Sequence, residues 1–159
     1  MIAWGSNSAG QLGDGGTGFS NAPVLVNRYG VLGGKTIQAL AAGDDYSLAL
    51  CSDGTVAAWG SNEGGRLGNN STATSRVPVA VNRTGVLAGR FVKAIAAGAG
   101  HAVALCTDGT LASWGGNASG RLGNDSFTDS PVPVAVNQSG VLAGKVVVGV
   151  AAGALHSLA

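Results

Sequence analysis

One offset governs this sequence: motifs return after 55 residues. Trp-Gly stands at Trp4-Gly5, Trp59-Gly60 and Trp114-Gly115. Ala-Ala-Gly stands at Ala41–Gly43, Ala96–Gly98 and Ala151–Gly153. Leu12-Gly13, Pro23-Val24, Asn27 and Gly30-Val31-Leu32 recur in the same way, and no insertion breaks the register. A strict period of this length marks a chain made by stacking one supersecondary unit, because such a unit buries its apolar faces only against its neighbours. The units run 1–55, 56–110 and 111–159 and form a single segment rather than separate domains. Three full units would need 165 residues, so the third of this 159-residue chain is six short.

The second unit shows what repeats. Phe91–Ala97 reads as a strand ending at Gly98. His101–Cys106 is a second strand, apolar on both of its alternating faces, and so buried on both sides. Asp108-Gly109 is a hairpin signal, and Thr110–Trp114 is the returning strand. A long loop from Gly115 to about Val132 leads to a short fourth strand, Pro133–Asn137. A proline at its start suits an edge strand, where the missing N–H costs nothing. Composition agrees: 28 of the 159 residues are Gly and 4 are Pro, which favours turns over long helices and, without a three-residue period, excludes collagen.

The expected fold is therefore all-β, a β-propeller of four-stranded antiparallel blades with about three repeats present, as a partial ring or a self-assembling piece. Ala-Ala-Gly belongs on the innermost strand, where converging blades leave least room.

These residues resemble the regulator of chromosome condensation type repeat. The second unit supplies Val92, Ile95–Gly98, His101, Ala104-Leu105, Asp108-Gly109, Trp114-Gly115, Asn117, Gly120 and Leu122-Gly123, and the first supplies Gln11-Leu12-Gly13. The closeness of the copies is similar to that in bacterial repeat-rich members. The resemblance implies a ring of usually seven blades, often sealed by one blade built from both chain ends. It also implies, as an alternative function, guanine-nucleotide exchange on a small GTPase, although no exchange motif can be mapped here.

Charge and chemistry narrow the function. Nine Lys+Arg against eight Asp+Glu give +1, a balance that argues against a broad basic nucleic-acid face. No apolar run approaches 18 residues, so no membrane span is expected, and no signal peptide is visible at Met1. That leaves the compartment open. Cys51 and Cys106 are repeat-equivalent, as are His101 and His156, with Tyr46 in the same place in the first unit. A catalytic group is needed once rather than once per blade, so both sets read as structural. For the His/Tyr position, a ring N–H bonded to a turn carbonyl is expected. Gly10–Gly16 lacks the Lys and Ser/Thr of a P-loop, and the acidic loops lack a calcium-ligand alternation. Catalytic residues, cofactors and metals are accordingly not expected.

The units differ most in the long loop and the turn after Ala-Ala-Gly. Asp14, Phe19, Asn70, Arg76, Asp125, Phe127 and Asp129 lie in or beside the first, and Asp44, Asp45 and Tyr46 in the second. Loops aimed by a rigid sheet carry recognition. These ten are the candidate partner-binding residues of a non-enzymatic scaffold, with a protein partner and with further copies or flanking repeats as neighbours. A carbohydrate- or surface-binding module of a secreted bacterial protein is the third reading.

Overall fold

The computed structural model describes residues 1–159. Twelve strands form four antiparallel sheets. β1 (Ile2–Gly5) and β2 (Ser20–Leu25) pair alone. A first complete sheet follows the order β3 (Ile37–Ala42), β4 (Tyr46–Cys51), β5 (Val56–Gly60), β6 (Ser75–Ala80). A second comprises β7 (Val92–Ala97), β8 (His101–Cys106), β9 (Leu111–Gly115) and β10 (Ser130–Ala135). β11 (Ala151–Ala152) and β12 (Ser157–Leu158) pair alone. The molecule is thus two complete blades flanked by an outer half-blade and an inner half-blade, and the sheets do not close into a ring. The first strands of successive blades meet: β3 lies beside β7, and β7 beside β11. Ala41 and Ala96 sit there, where small side chains let the blades converge.

The second strand of each blade is buried on both faces because it is clamped between blades. Leu48 and Leu50 of β4 point into the core shared with the next blade, packing with Leu67, Leu87, Ala102, Ala104 and Trp114. The alternate residues Ala49 and Cys51 join Val26, Leu32, Ala57 and Trp59 in the core shared with the half-blade before. The period of two along the strand delivers one side chain to each core in turn. Leu105 repeats this in β8 by joining Leu111 and Val147.

The fourth strand and its return to the next blade differ from the sequence reading. The fourth strand begins earlier, at Ser130 rather than Pro133, so the proline lies inside the strand. It is accommodated by a bulge: Ser130 faces Gly115 and Val134 faces Ser113, so the bulge takes in Pro133 between these pairs. Pro78 and Pro23 fall in the matching irregularities of β6 and β2. On an outer edge, a bulge tolerates a residue with no N–H. The return from fourth to first strand also contains a short 3₁₀ turn, at Gly30–Leu32, Gly85–Leu87 and Gly140–Leu142. Its first residue is a glycine with φ between 63° and 72° in all three, a left-handed geometry that suits Gly. No helix is long and apolar enough to cross a membrane.

Candidate functional site: the rim of turns and long loops

Antiparallel order puts two connections of each blade on one rim. The turn from first to second strand and the long loop from third to fourth strand lie together there. Backbone bonds tie them: Ser61 N–H donates to Asp45 O at 2.8 Å, and Gly116 N–H to Gly100 O at 2.8 Å. All ten candidate residues belong to these two connections or to strand positions next to them.

The long loop is organised by one buried asparagine per unit. Asn62 Oδ1 accepts the Leu67 N–H at 2.9 Å, while its Nδ2 donates to Asn69 Oδ1, Ser71 O and Ala73 O at 2.9–3.1 Å. Asn117 repeats the set with Leu122, Asn124, Ser126 and Thr128. Asn7 does so in part, accepting from Leu12 and donating to Asp14. The sequence reading placed Asn117 inside the family motif and did not mark it as buried. Its spacing from Trp-Gly was the available signal, but a polar residue in a Gly-rich stretch does not announce that it is buried.

The candidates divide by what the scaffold asks of them. Phe19 is 88% and Phe127 75% exposed, and Asp44 is exposed with no side-chain partner. Asn70 and Asp125 are exposed but held at φ of 62° and 57°, where the first unit has Gly15 at 92°. Asn and Asp are the non-glycine residues best suited to that conformation. Asp14 caps the loop through Asn7 and the Gly16 N–H, Asp45 accepts from Gln11 Nε2, and Asp129 accepts the Asn117 N–H. Arg76 is exposed beside Gly10, its carbonyl taking the Gly15 N–H at 3.1 Å.

Tyr46 departs from its place among the contact residues and fits the structural reading of the His/Tyr position. It is 1% exposed, packed on Gly43, and its hydroxyl donates to the carbonyl of His101 in the next blade. It is therefore a blade-joining residue and presents no contact surface. Its repeat-equivalent His101 is also buried, but its ring meets the Ser157 hydroxyl at 2.9 Å rather than a turn carbonyl. Burial, with Arg121 and His156 nearby, lowers the His101 pKa to about 4, so the ring is neutral. Burial likewise raises the Tyr46 phenol and both cysteine thiols, the opposite of nucleophile activation.

Charge is segregated between the rims. The turn-and-loop rim carries Asp14, Asp44, Asp45, Glu63, Asp125 and Asp129 against Arg66, Arg76 and Arg121, a balance of −3. The opposite rim carries Arg28, Lys35, Arg83, Arg90, Lys93 and Lys145 against Asp53 and Asp108, a balance of +4. The net +1 of the sequence conceals this. Four of those six cations are already committed. Lys35 and Arg90 pair with Asp53 and Asp108 at 2.8 and 2.9 Å, and Arg28 and Arg83 bond to the carbonyls of Lys35 and Arg90. The Lys35 hydrogen bond holds the Asp53 carboxyl well below the usual carboxylate range.

The blades interlock through the repeated tryptophan. Trp59 Nε1 donates to Gln11 O at 2.8 Å and Trp114 Nε1 to Arg66 O at 3.1 Å, each reaching the long loop of the blade before. A Cβ on Gly13 or Gly68 would lie 2.7 Å from those rings, so only glycine allows the approach.

Comparison with known proteins agrees with this architecture. Among solved structures, Prp20p of Saccharomyces cerevisiae superposes with a TM-score of 0.78 at 23% identity, covering 98% of this chain and 38% of that one. Human WBSCR16 does so at 0.53 and 22%, covering 98% and 52%. In sequence, the ultraviolet-B receptor UVR8 of Arabidopsis thaliana is 35% identical over 140 residues, 88% of this chain and 30% of that protein. The human E3 ubiquitin-protein ligase HERC2 is 34% identical over 157 residues, 99% of this chain and 3% of that protein. The chain thus spans less than a third of the length of either relative. The family model for the regulator of chromosome condensation (RCC1) repeat matches residues 1–50, 53–105 and 108–159, and a second model of that repeat matches 37–66 and 92–121. With three matched repeats, each carrying the Trp-Gly and Leu-Gly pairs of the 55-residue unit, the chain belongs to the RCC1 repeat family.

Proposed function

We propose that this chain is a non-enzymatic propeller scaffold that binds a protein partner on its turn-and-loop rim. The observation that carries the reading is the coincidence on one rim of loop variation, exposed aromatics and a −3 charge balance, on a frame whose repeated residues are taken up by packing. Exposed aromatics flanked by charge are what a hot spot needs. The partner's contact surface is basic, because complementary charge steers encounter and rejects like-charged surfaces. Relatives lend support: one yeast structure of this fold is described with binding to Gsp1p and histones, and another holds Kap60. Exchange-factor activity has no observation of its own here.

The test is a rim variant combining Phe19→Ala, Asp44→Lys and Phe127→Ala, none of which removes a scaffold hydrogen bond. A partner captured by the native chain, then purified and titrated, loses at least about tenfold in affinity with this variant, and Lys93→Ala on the other rim leaves it unchanged. Affinity also falls as salt rises. Equal binding by native chain and rim variant, or capture of glycans alone, overturns the reading.

A further inference from the structure

On the rim opposite the turn-and-loop rim, one seam is plugged and the next is open. Between the two complete blades the Phe91 ring lies against Gly54, 3.0 Å from where a Cβ would stand. Beside it the Arg83 guanidinium is held on the Arg90 carbonyl at 2.6 Å. One repeat later Val146 stands in the place of Phe91, and nothing lies within 4 Å of the matching position on Gly109. Gln138 stands in the place of Arg83 and turns into its own blade. It donates to Gly109 O at 3.0 Å and accepts the Leu111 N–H at 3.1 Å. A cleft of about 430 Å³ is left there. The plug is lost through the residue at position 146 itself.

The chemistry of the cleft changes with its shape. Lys93, where the preceding blade has Gln38, lines it and makes no ion pair. Lys145 and the hydroxyl-bearing Thr107 and Thr110 line it too. Asp108 also lines it, but Arg90 neutralises that carboxylate at 2.9 Å. The lysine charges are therefore left for a ligand. Only Leu142, Val146 and Val147 are apolar among the lining residues, and no aromatic ring is there, so a nucleobase has nothing to stack on. The volume is that of a small-molecule pocket and exceeds what a bare phosphate fills.

We infer that this cleft binds the phosphate monoester of a small hydroxylated molecule, such as a sugar or polyol phosphate. The Lys93 and Lys145 ammonium groups take the phosphate, which carries close to two negative charges at neutral pH. The threonine hydroxyls and the Gln138 amide meet the hydroxyl groups of the carbon frame. The seam between the complete blades cannot do this, because Phe91 occupies the space and Gln38 brings no charge. The site lies on the other rim from the proposed protein contact and is independent of it.

The experiment titrates the 159-residue chain with glucose 6-phosphate, glucose and inorganic phosphate in a calorimeter. The expected result is saturable binding of glucose 6-phosphate, with glucose and inorganic phosphate each weaker by about tenfold or more. Lys93→Ala weakens glucose 6-phosphate by about tenfold or more, the loss of a charged hydrogen-bond donor. Val146→Phe restores the plug of the preceding seam and abolishes binding. Both residues are exposed, and Phe is what the repeat already carries at that place, so both variants fold, as circular dichroism checks. The rim variant of Phe19, Asp44 and Phe127 binds the sugar phosphate like the native chain, which separates this site from the protein contact. No saturable binding of glucose 6-phosphate, equal binding of inorganic phosphate, or undiminished binding by Val146→Phe overturns the inference.

Discussion

At the scale of single residues, the repeat gives each position an internal control. His101 and Tyr46 share one place, and only the first can titrate near neutrality. Because the folded pKa of His101 is about 4 and the unfolded value about 6.5, the unfolded chain takes up a proton first as pH falls. Stability is therefore full above pH 6.5, declines between 6.5 and 4, and levels off below. The loss from this group is at most about 3 kcal/mol. Urea titrations at pH 7, 5 and 4 read it. His101→Tyr, the residue the first blade already uses, flattens that slope while the fold persists; an unchanged slope shows that other groups carry it. Trp59 offers the second measurement at this scale. Its ring is the joint between two blades, and Trp59→Ala costs about 3–5 kcal/mol, the range for deleting a buried large aromatic. A denaturant titration that finds less than about 1 kcal/mol shows the ring to be dispensable. The Trp role was legible from its strict spacing, since packing is required at every blade. Tyr46 was legible in part: its shared place with His101 and His156 marked a structural ring, while its variation between units looked like loop freedom when it is a substitution within one buried joint.

The elements follow from alternation and punctuation. The second and third strands were readable because both faces are apolar and Asp-Gly fixes the turn between them: Thr110 N–H bonds to Asp108 Oδ1 at 3.0 Å and Gly109 has φ of 84°. The start of the fourth strand was misplaced because a proline reads as a boundary, whereas a bulge absorbs it. The long loop was readable only as a loop. What orders it is a buried side chain, and a sequence does not display burial for a residue with polar character. Asn117 tests that account. With Asn117→Ala, the Leu122 N–H and the carbonyls of Ser126 and Thr128 lose their partner, at a cost of about 2 kcal/mol or more where they remain dry. Hydrogen exchange at Leu122 rises sharply, while β7 and β8 keep their protection. Unchanged exchange at Leu122 means that water or a neighbouring group replaces the amide, and the loop then has another organiser.

On the scale of the whole molecule, stability is shared along a line of blades rather than held in one centre. The two complete blades share a core that joins Leu48, Leu50, Leu87, Ala102 and Trp114, while the end sheets each touch one neighbour. In such an array local opening is easiest where a unit has one interface, because opening there breaks one set of contacts instead of two. Net charge failed to reveal the two-faced rims for a related reason: position on a rim depends on which connection a residue occupies, and a sum over the chain erases that. Native-state hydrogen exchange in dilute solution therefore resolves an order. Amides of β1–β2 and β11–β12 exchange first, those of β3, β6, β7 and β10 next, and those of β4, β5, β8 and β9 last. The middle strands come last because each is paired on both edges and clamped on both faces. A uniform exchange rate across all four sheets would mean one cooperative unit and would contradict this view of the chain as a short stack of separable blades.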